Sequence, residues 1–321
     1  MTMDAPVTRI RIGARTSPLA RAQADQVAAL LTAAGAQCEF VGVTTTGDTD
    51  RRHLTEIGGT GVFAQAVREA LRTGEIDLAV HSLKDLPTAP AEGLEVVAHP
   101  VREDVRDLLV GSRLDDLPDG ARVGTGSPRR AAQLHAWAAA TGRTVDAVPV
   151  RGNVDRRIGL AASGELDAVL LAAAGLNRLG RVPDLPTELL PLEVMLPAAG
   201  QGALALEMSL DAPAEVRALV AGLDDPATRA AVTAERGFLA ALEAGCLAPA
   251  GAAAEVNPGC GIGPDLTMAV VVGRTWVGGS ATGGLIRAAD AAPRADALAL
   301  GERLAHRVLA ELGTTHDTHD N

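Results

Sequence analysis

The sequence predicts an α/β protein in which two similar lobes with mostly parallel sheets precede a small C-terminal α+β domain. Short apolar strands alternate with amphipathic helices over roughly the first 100 residues, a pattern typical of parallel sheets. Two short motifs recur in the same order further along the chain, which indicates a second lobe of the same design. After about residue 222 the alternation ends and a different arrangement of strands and helices begins.

The first lobe begins with a predicted strand at residues 9–13 and a helix that follows it. Ser17 is placed to cap this helix and Pro18 to occupy its first position. Gly35 closes the helix. The remaining elements are a strand at 37–44, a helix at 62–72 and a strand at 76–80. This last strand is apolar, as expected of a parallel strand that is buried on both faces.

An internal repeat predicts the second lobe. Residues 17–23 (SPLARAQ) resemble residues 127–133 (SPRRAAQ), and residues 74–80 (GEIDLAV) resemble residues 164–170 (GELDAVL). Each motif begins or ends on a predicted strand, which favours two lobes of shared architecture over a coincidence of two short matches. Ligands of such sheets bind beyond the carboxyl ends of the strands, and two facing lobes form a cleft.

The domain boundaries follow from changes in composition. We expect lobe 1 at 1–101, completed by about 198–221, lobe 2 at 102–197, a C-terminal domain at 222–313 and a disordered tail at 314–321. The C-terminal domain is predicted to contain a helix at 227–242, a Gly/Ala/Pro-rich loop, strands at 266–272 and 276–280, and a helix at 292–312.

Composition excludes several classes of protein. A hydrophobic content of 47% excludes a disordered chain. A net charge of −11, with no Tyr, two Trp and three Phe, argues against a nucleic-acid partner. No apolar stretch approaches the ~20 residues of a membrane span, and the N-terminus lacks the apolar centre of a signal peptide. The three cysteines have neither zinc-site nor disulfide-framework spacing. We therefore expect a cytoplasmic protein without membrane, nucleic-acid or metal partners.

Polar side chains follow the predicted strands and indicate a binding site for a polyanion. The set comprises Arg15, Thr16, Ser17, His81, Ser82, Lys84, Asp85, Thr125, Ser127, Arg129, Arg130, Arg151, Asn153, Arg156 and Arg157. Guanidinium groups bind carboxylates and phosphates in a bidentate manner, and helix N-termini favour anions. The alternative is a set of surface ion pairs, each of which contributes little to stability.

Four residues are candidates for chemistry. Asp85 follows Lys84, which is the single lysine beside 28 arginines, and its carboxylate could stabilise a cationic intermediate. The pair could equally be an ordinary turn pair, or Lys84 could form a Schiff base. Cys246, among small residues, is either a reactive thiol or a buried inert one. Gln201, between two glycines, is a candidate hinge or ligand contact.

These motifs together resemble the hydroxymethylbilane synthase (porphobilinogen deaminase) family. The resemblance is carried by residues 15–20 (RTSPLA), 81–87 (HSLKDLP), 124–130 (GTGSPRR), 151–154 (RGNV), 174–180 (AGLNRLG), 196–202 (LPAAGQG) and 234–236 (AER), and by Cys246. It implies an enzyme that joins four porphobilinogen molecules head to tail with loss of ammonia and hydrolyses the product to linear hydroxymethylbilane in haem biosynthesis. The implied fold has two lobes like periplasmic binding proteins and a C-terminal domain that bears the cysteine.

The resemblance also implies roles for individual residues. Cys246 would carry a dipyrromethane cofactor through a thioether, and Asp85 would be the catalytic carboxylate. Gln201 would lie at the hinge between the lobes. The acetate and propionate groups of cofactor and substrate would be held by Arg15, Ser17, Lys84, Ser127, Arg129, Arg130, Arg151 and Arg157. The family implies a monomer. A non-catalytic two-lobed binding protein for a small polyanion is the alternative.

Overall fold

The computed structural model describes residues 8–44, 61–181, 183–243, 248–257, 264–274 and 284–314. The contacts between these residues divide the chain into two compact units. Unit 1 contains residues 1–102 and 203–229, and unit 2 contains residues 103–202 and 230–321. Each unit is therefore built from two separate segments of the chain. The predicted division into three segments stays a prediction.

Unit 1 is built around a five-stranded sheet. Its strands are β1 (Arg9–Arg15), β2 (Gln37–Val43), β3 (Leu78–Ser82), β4 (Leu94–Ala98) and β10 (Leu204–Ser209), in the order β2-β1-β3-β10-β4. β1 is parallel to β2 and β3, whereas β10 is antiparallel to β3 and β4. The helices are α1 (Pro18–Ala33), α2 (Gly61–Arg72) and α6 (Ala214–Ala221), with a short 3-10 turn at Leu83–Asp85. The predicted strand at 76–80 thus lies two residues later than expected.

Helix α1 forms as the sequence predicts. The Oγ of Ser17 accepts a hydrogen bond from the backbone N–H of Ala20 at 3.3 Å, and Pro18 occupies the first turn. Val27 and Leu31 have no exposed surface and pack into the core of unit 1. Gly35 follows the helix with φ of 95°, a conformation that only glycine adopts readily.

The first sheet of unit 2 repeats the plan of unit 1. Its strands are β5 (Asp107–Val110), β6 (Ala121–Gly124), β7 (Val145–Val148), β8 (Ala168–Ala172) and β9 (Thr187–Leu189), in the order β7-β6-β8-β5-β9. β6 is parallel to β7 and β8, and β5 is antiparallel to β8 and β9. The accompanying helices are α3 (Pro128–Ala140), α4 (Val154–Ala162) and α5 (Ala173–Arg178). In both sheets, three parallel strands lie side by side. The fourth strand, β10 in unit 1 and β5 in unit 2, runs antiparallel to both of its neighbours.

The repeated Gly-Glu-x-Asp motif has a structural explanation. Asp77 precedes β3 and accepts a hydrogen bond from the backbone N–H of Arg11 in β1 at 2.7 Å. Asp167 precedes β8 and accepts one from the backbone N–H of Arg122 in β6, also at 2.7 Å. Each aspartate thereby joins the third parallel strand of its sheet to the first. The repeat is therefore structural as well as sequential.

Unit 2 also contains a smaller α+β element near the C-terminus. Strands β11 (Ala250–Val256), β12 (Leu266–Gly273) and β13 (Leu285–Ala292) form an antiparallel sheet, packed with helices α7 (Pro226–Ala241) and α8 (Ala297–Thr314). The prediction of a loop before residue 266 was wrong for β11, because pairing with β12 outweighs the low strand propensity of its alanines. The predicted helix at 292–312 begins only at Ala297, since β13 runs to Ala292. The predicted strand at 276–280 lies outside the described residues.

The predicted fold class is confirmed. Both larger sheets are mostly parallel and are packed with helices, and the C-terminal element is α+β. Among the described helices, none combines the length and the apolar character needed to cross a membrane.

Candidate functional site

In unit 1, the carboxyl ends of β1 and β3 meet at one edge of the sheet because these strands are parallel neighbours. Arg15 ends β1, Ser17 caps α1, and Asp85 ends the 3-10 turn that follows β3. All three line one open pocket, together with His81 and Ser82. The volume of this pocket that the centre of a water molecule can occupy is about 80 Å³, and the pocket is open to solvent.

The turn that carries Asp85 is bonded to a neighbouring segment at its beginning and is closed by a hydrogen bond of its own. The backbone N–H of Leu83 donates to the carbonyl of Ala203 at 3.0 Å, and that of Leu86 donates back to the Leu83 carbonyl at 3.1 Å. Before the turn, the buried amide of Gln23 donates to the Oγ of Ser82 at 2.8 Å. The carboxylate of Asp85 is therefore presented to the pocket from a fixed backbone rather than from a long free loop.

A buried ion cluster lies beside this pocket. Arg68 of α2 donates to both carboxylate oxygens of Glu207 on β10, at 3.0 and 3.2 Å through its Nε and at 2.9 Å through Nη2. His81 Nε2 lies 3.3 Å from Glu207 Oε2. Burial opposes ionisation of Glu207, but His81 and Arg68 outweigh it and lower the pKa of Glu207 to about 2. Glu207 is thus a fixed negative charge beside the pocket.

In unit 2, a buried carboxylate that the sequence analysis did not single out organises the predicted arginines. Asp107, at the start of β5, has no exposed surface. Its Oδ2 accepts a hydrogen bond from Arg129 Nη1 at 2.7 Å, and its Oδ1 accepts one from Arg130 Nη2 at 2.8 Å. Burial raises the pKa of Asp107, but the charges and hydrogen bonds of the two arginines outweigh it and hold the pKa far below its usual range.

Gln201 belongs to the same cluster. Its Nε2 donates to Asp107 Oδ1 and to the carbonyl of Val105, each at 2.8 Å. The loop that carries Gln201 is fixed in turn by Glu235 of α7, whose carboxylate accepts from the backbone N–H of Gly200 at 2.7 Å and from that of Ala254 in β11 at 2.8 Å. Glu235 has no exposed surface. It therefore joins the Gln201 loop to the C-terminal element within unit 2.

Two donors near this cluster have no partner among the described residues. The Nε atoms of Arg130 and Arg157 are both buried without a hydrogen-bond partner in that part of the chain. Burial, followed by the charge of Arg130, lowers the pKa of Arg157. Ser127 occupies the N-cap position of α3, but its hydroxyl does not accept from the described N–H groups of that helix. Two neighbouring guanidinium groups with free donors are suited to an anionic ligand.

The structure thus brings together Arg15, Ser17 and Asp85 in unit 1, and Arg129, Arg130 and Gln201 in unit 2. Arg151 is exposed, and Cys246 lies outside the described residues. Asp107 and Glu207 were missed by the sequence analysis, and Glu235 appeared there only within the motif 234–236. A signal did exist for the first two, because each is an acidic residue beside or within an apolar strand. Among the described residues, no group of three or more His, Cys, Asp or Glu side chains could hold a metal ion.

Two solved structures show a distant likeness to this chain. A periplasmic substrate-binding protein of an ABC transporter from Coxiella burnetii aligns with a TM-score of 0.40 and 15% identity, covering 68% of this chain and 92% of that one. The extracellular-binding protein ytmK of a probable amino-acid ABC transporter from Bacillus subtilis gives 0.38 and 12% identity, covering 68% and 90%. Scores this low carry no argument about this chain.

Comparison with protein families and curated sequences is far closer. Residues 10–216 match the model described as porphobilinogen deaminase, dipyromethane cofactor binding domain, and residues 229–310 match the porphobilinogen deaminase C-terminal domain. Porphobilinogen deaminase 1 of Streptomyces coelicolor is 54% identical over 94% of this chain and 95% of its own length. The porphobilinogen deaminase of Leifsonia xyli is 53% identical over 80% of each chain. The chain therefore belongs to the porphobilinogen deaminase family, whose members polymerise porphobilinogen into hydroxymethylbilane in tetrapyrrole biosynthesis.

Proposed function

We propose that Asp85, Cys246 and the cationic residues of the two units carry out this polymerisation. In each addition, a C–N bond of the incoming porphobilinogen breaks with loss of ammonia. A C–C bond then forms to the free pyrrole carbon at the end of the growing chain, and that carbon gives up its proton. After four additions, hydrolysis releases linear hydroxymethylbilane.

The observation that carries the proposal is the Arg130–Arg157 pair with its two buried Nε atoms, which have no partner among the described residues. A buried N–H donor without a hydrogen-bond partner is costly, and a ligand carboxylate that accepts from it offsets that cost. Each pyrrole of the substrate and of dipyrromethane brings one acetate and one propionate, so the residues present fit these groups. Ser127, Arg129 and Arg151 in unit 2, with Arg15, Ser17 and Lys84 in unit 1, are proposed to bind the remaining carboxylates. Gln201 is proposed to lie at the hinge between the lobes.

Asp85 is the proposed catalytic residue. As ammonia leaves, positive charge develops on the pyrrole nitrogen, and a carboxylate held beside it lowers the energy of that state. The anchored turn and the pocket position of Asp85 support this role, because electrostatic stabilisation depends on a group that is fixed before the reaction. Arg15 lines the same pocket and would orient the substrate through its carboxylates.

Cys246 is the proposed attachment point of dipyrromethane, through a thioether. When bound, dipyrromethane supplies the pyrrole carbon to which the first substrate unit is joined. Cys38 is a poor candidate, since burial raises the pKa of its thiol and so reduces the fraction of reactive thiolate. We further propose a monomeric cytoplasmic enzyme without a nucleic-acid partner, in keeping with the net charge of −11.

Intact-mass measurement of the purified protein tests the proposal. We expect an excess mass equal to two linked porphobilinogen-derived units in the wild type and in a Cys38→Ala control, and the bare chain mass in Cys246→Ala. Turnover of porphobilinogen should be lost in Cys246→Ala and retained in Cys38→Ala. Full activity in Cys246→Ala would refute the attachment site. A wild-type chain that neither gains mass on incubation with porphobilinogen nor releases product would instead be a polyanion-binding protein.

A further inference from the structure

Three of the residues proposed to act in unit 2 depend on one carboxylate. Arg129, Arg130 and Gln201 all donate hydrogen bonds to Asp107, at distances of 2.7 to 2.8 Å. The Asp107 side chain is excluded from solvent, and the side chains of Arg129 and Arg130 are only 5% and 8% exposed. Asp107 therefore cannot contact bulk water. Its effect on a ligand has to pass through these three partners.

The hydrogen bonds of the cluster fix the direction of a donor on Arg130 that has no partner among the described residues. Arg130 donates through Nη2 to Asp107 and through Nη1 to the carbonyl of Leu170, at 2.8 and 3.0 Å. A guanidinium is planar and rigid, so two such anchors determine where its third nitrogen points. That nitrogen, Nε, is buried without a partner among the described residues. The carboxylate of Asp107 thus sets the orientation of Arg130 Nε, although it accepts no hydrogen bond from that atom.

The net charge of the cluster also favours an anionic ligand. Two guanidinium groups share one carboxylate, so the cluster keeps one excess positive charge in a site with little access to water. Without Asp107, the two arginines would repel each other across a short distance and would rotate apart. With it, they are held together and remain cationic as a pair.

Resting on the proposed function, we propose that Asp107 is a positioning residue for the polymerisation. It holds Arg130, through Arg130 Nη2, so that the free Nε is directed at a carboxylate of the pyrrole ligand, and it ties the Gln201 loop to the same arginine pair. Asp107 does not contact the substrate. Its removal should therefore weaken catalysis through the arginines rather than abolish the chemistry at Asp85.

The test compares Asp107→Asn, Asp107→Glu and the control Asp146→Asn, an equal charge change at an exposed position of β7 in the same sheet. Holoenzyme content is measured by intact mass, and folding by circular dichroism. The parameters kcat and KM for porphobilinogen are then measured per mole of cofactor-bearing protein, at a temperature where each variant is folded. Wild-type turnover in the same preparation tests the proposed function separately.

We expect Asp107→Asn to lose about 10²-fold in kcat/KM, mainly through a higher KM, as misplacement of a ligand-orienting group generally does. Asp107→Glu, which keeps the charge, should recover part of that loss, and Asp146→Asn should match the wild type. Wild-type kcat/KM in folded Asp107→Asn would overturn the positioning role. Failure of both Asp107 variants to fold would also overturn it, in favour of a purely structural role.

Discussion

Replacement of Glu207 by Gln removes the fixed negative charge beside the unit 1 pocket, and the structure gives the size of the effect. The pKa of Glu207 is lowered from 4.5 to about 2 in the folded state. Each pKa unit corresponds to about 1.4 kcal/mol, so the ionised carboxylate stabilises the fold by about 3 kcal/mol. Because the side chain is only 2% exposed, solvent does not screen this contribution.

The sign of the pH dependence follows from the direction of the shift. A carboxyl group whose pKa is lowered on folding contributes stability that is present above its unfolded pKa. This contribution is lost as the pH falls through the folded value, here between 4.5 and about 2. The Glu207→Gln variant has no such group, so its stability should differ most from that of the wild type near neutral pH. The difference should then shrink in acid.

Urea unfolding of the two proteins at a series of pH values measures this difference. We expect Glu207→Gln to be less stable by about 3 kcal/mol at neutral pH, and the gap to shrink below pH ~4.5. Glu95→Gln is the matched control, because Glu95 pairs with Arg217 at 2.6 Å but is 50% exposed, and such surface pairs contribute at most about 1 kcal/mol. A gap of the same size at neutral and acid pH would refute the electrostatic reasoning.

Two further variants test Arg157, whose Nε atom is buried, and the buried Glu235. Arg157→Met should raise the KM for porphobilinogen roughly 10- to 100-fold, the value of one charge-assisted carboxylate contact. Steady-state kinetics would show this beside Arg181→Met, a control at a 60% exposed arginine, and equal KM values in the two variants would contradict a ligand role. Glu235→Gln places an amide N–H against one of the two backbone N–H groups from which Glu235 accepts hydrogen bonds. It should lower the free energy of unfolding by about 2 kcal/mol, measured in urea. The exposed Glu302→Gln serves as its control, and a loss no larger than that of the control would argue against this bonding pattern.

The parallel part of the fold was predictable because its sequence motifs occur twice in the chain. Hydrophobic strands and a capping serine followed by proline fix local structure through nearby residues, and the repeated Gly-Glu-x-Asp motif marks equivalent positions in the two sheets. The positions of Arg15, Ser17 and Asp85 follow from the rule that parallel strands present their carboxyl ends at one edge. These predictions needed no knowledge of long-range pairing.

The elements that were missed depend on partners distant in sequence. The alanine-rich β11 is a strand because β12 pairs with it, and its own residues have no preference for strands. The importance of Asp107 depends on Arg129 and Arg130, which follow it by 22 and 23 residues, and on Gln201, which follows by 94. Sequence alone shows an acidic residue before an apolar strand, but not which cations the fold brings to it.

The equivalent strand of each repeat carries a buried carboxylate, but the charges around that carboxylate differ between the two units. Glu207 lies on β10 and Asp107 on β5, and in each sheet this strand is antiparallel to the third parallel strand. A carboxylate on such a buried strand cannot be hydrated and must be paired with cations. Unit 1 pairs Glu207 with one arginine and a histidine, whereas unit 2 pairs Asp107 with two arginines. The cluster of unit 2 therefore carries excess positive charge that an anionic ligand can neutralise, while Glu207 is already balanced by Arg68. The shared topology therefore determines where a carboxylate can be buried. The side chains around that carboxylate determine whether the cluster keeps an excess positive charge that can bind a ligand carboxylate.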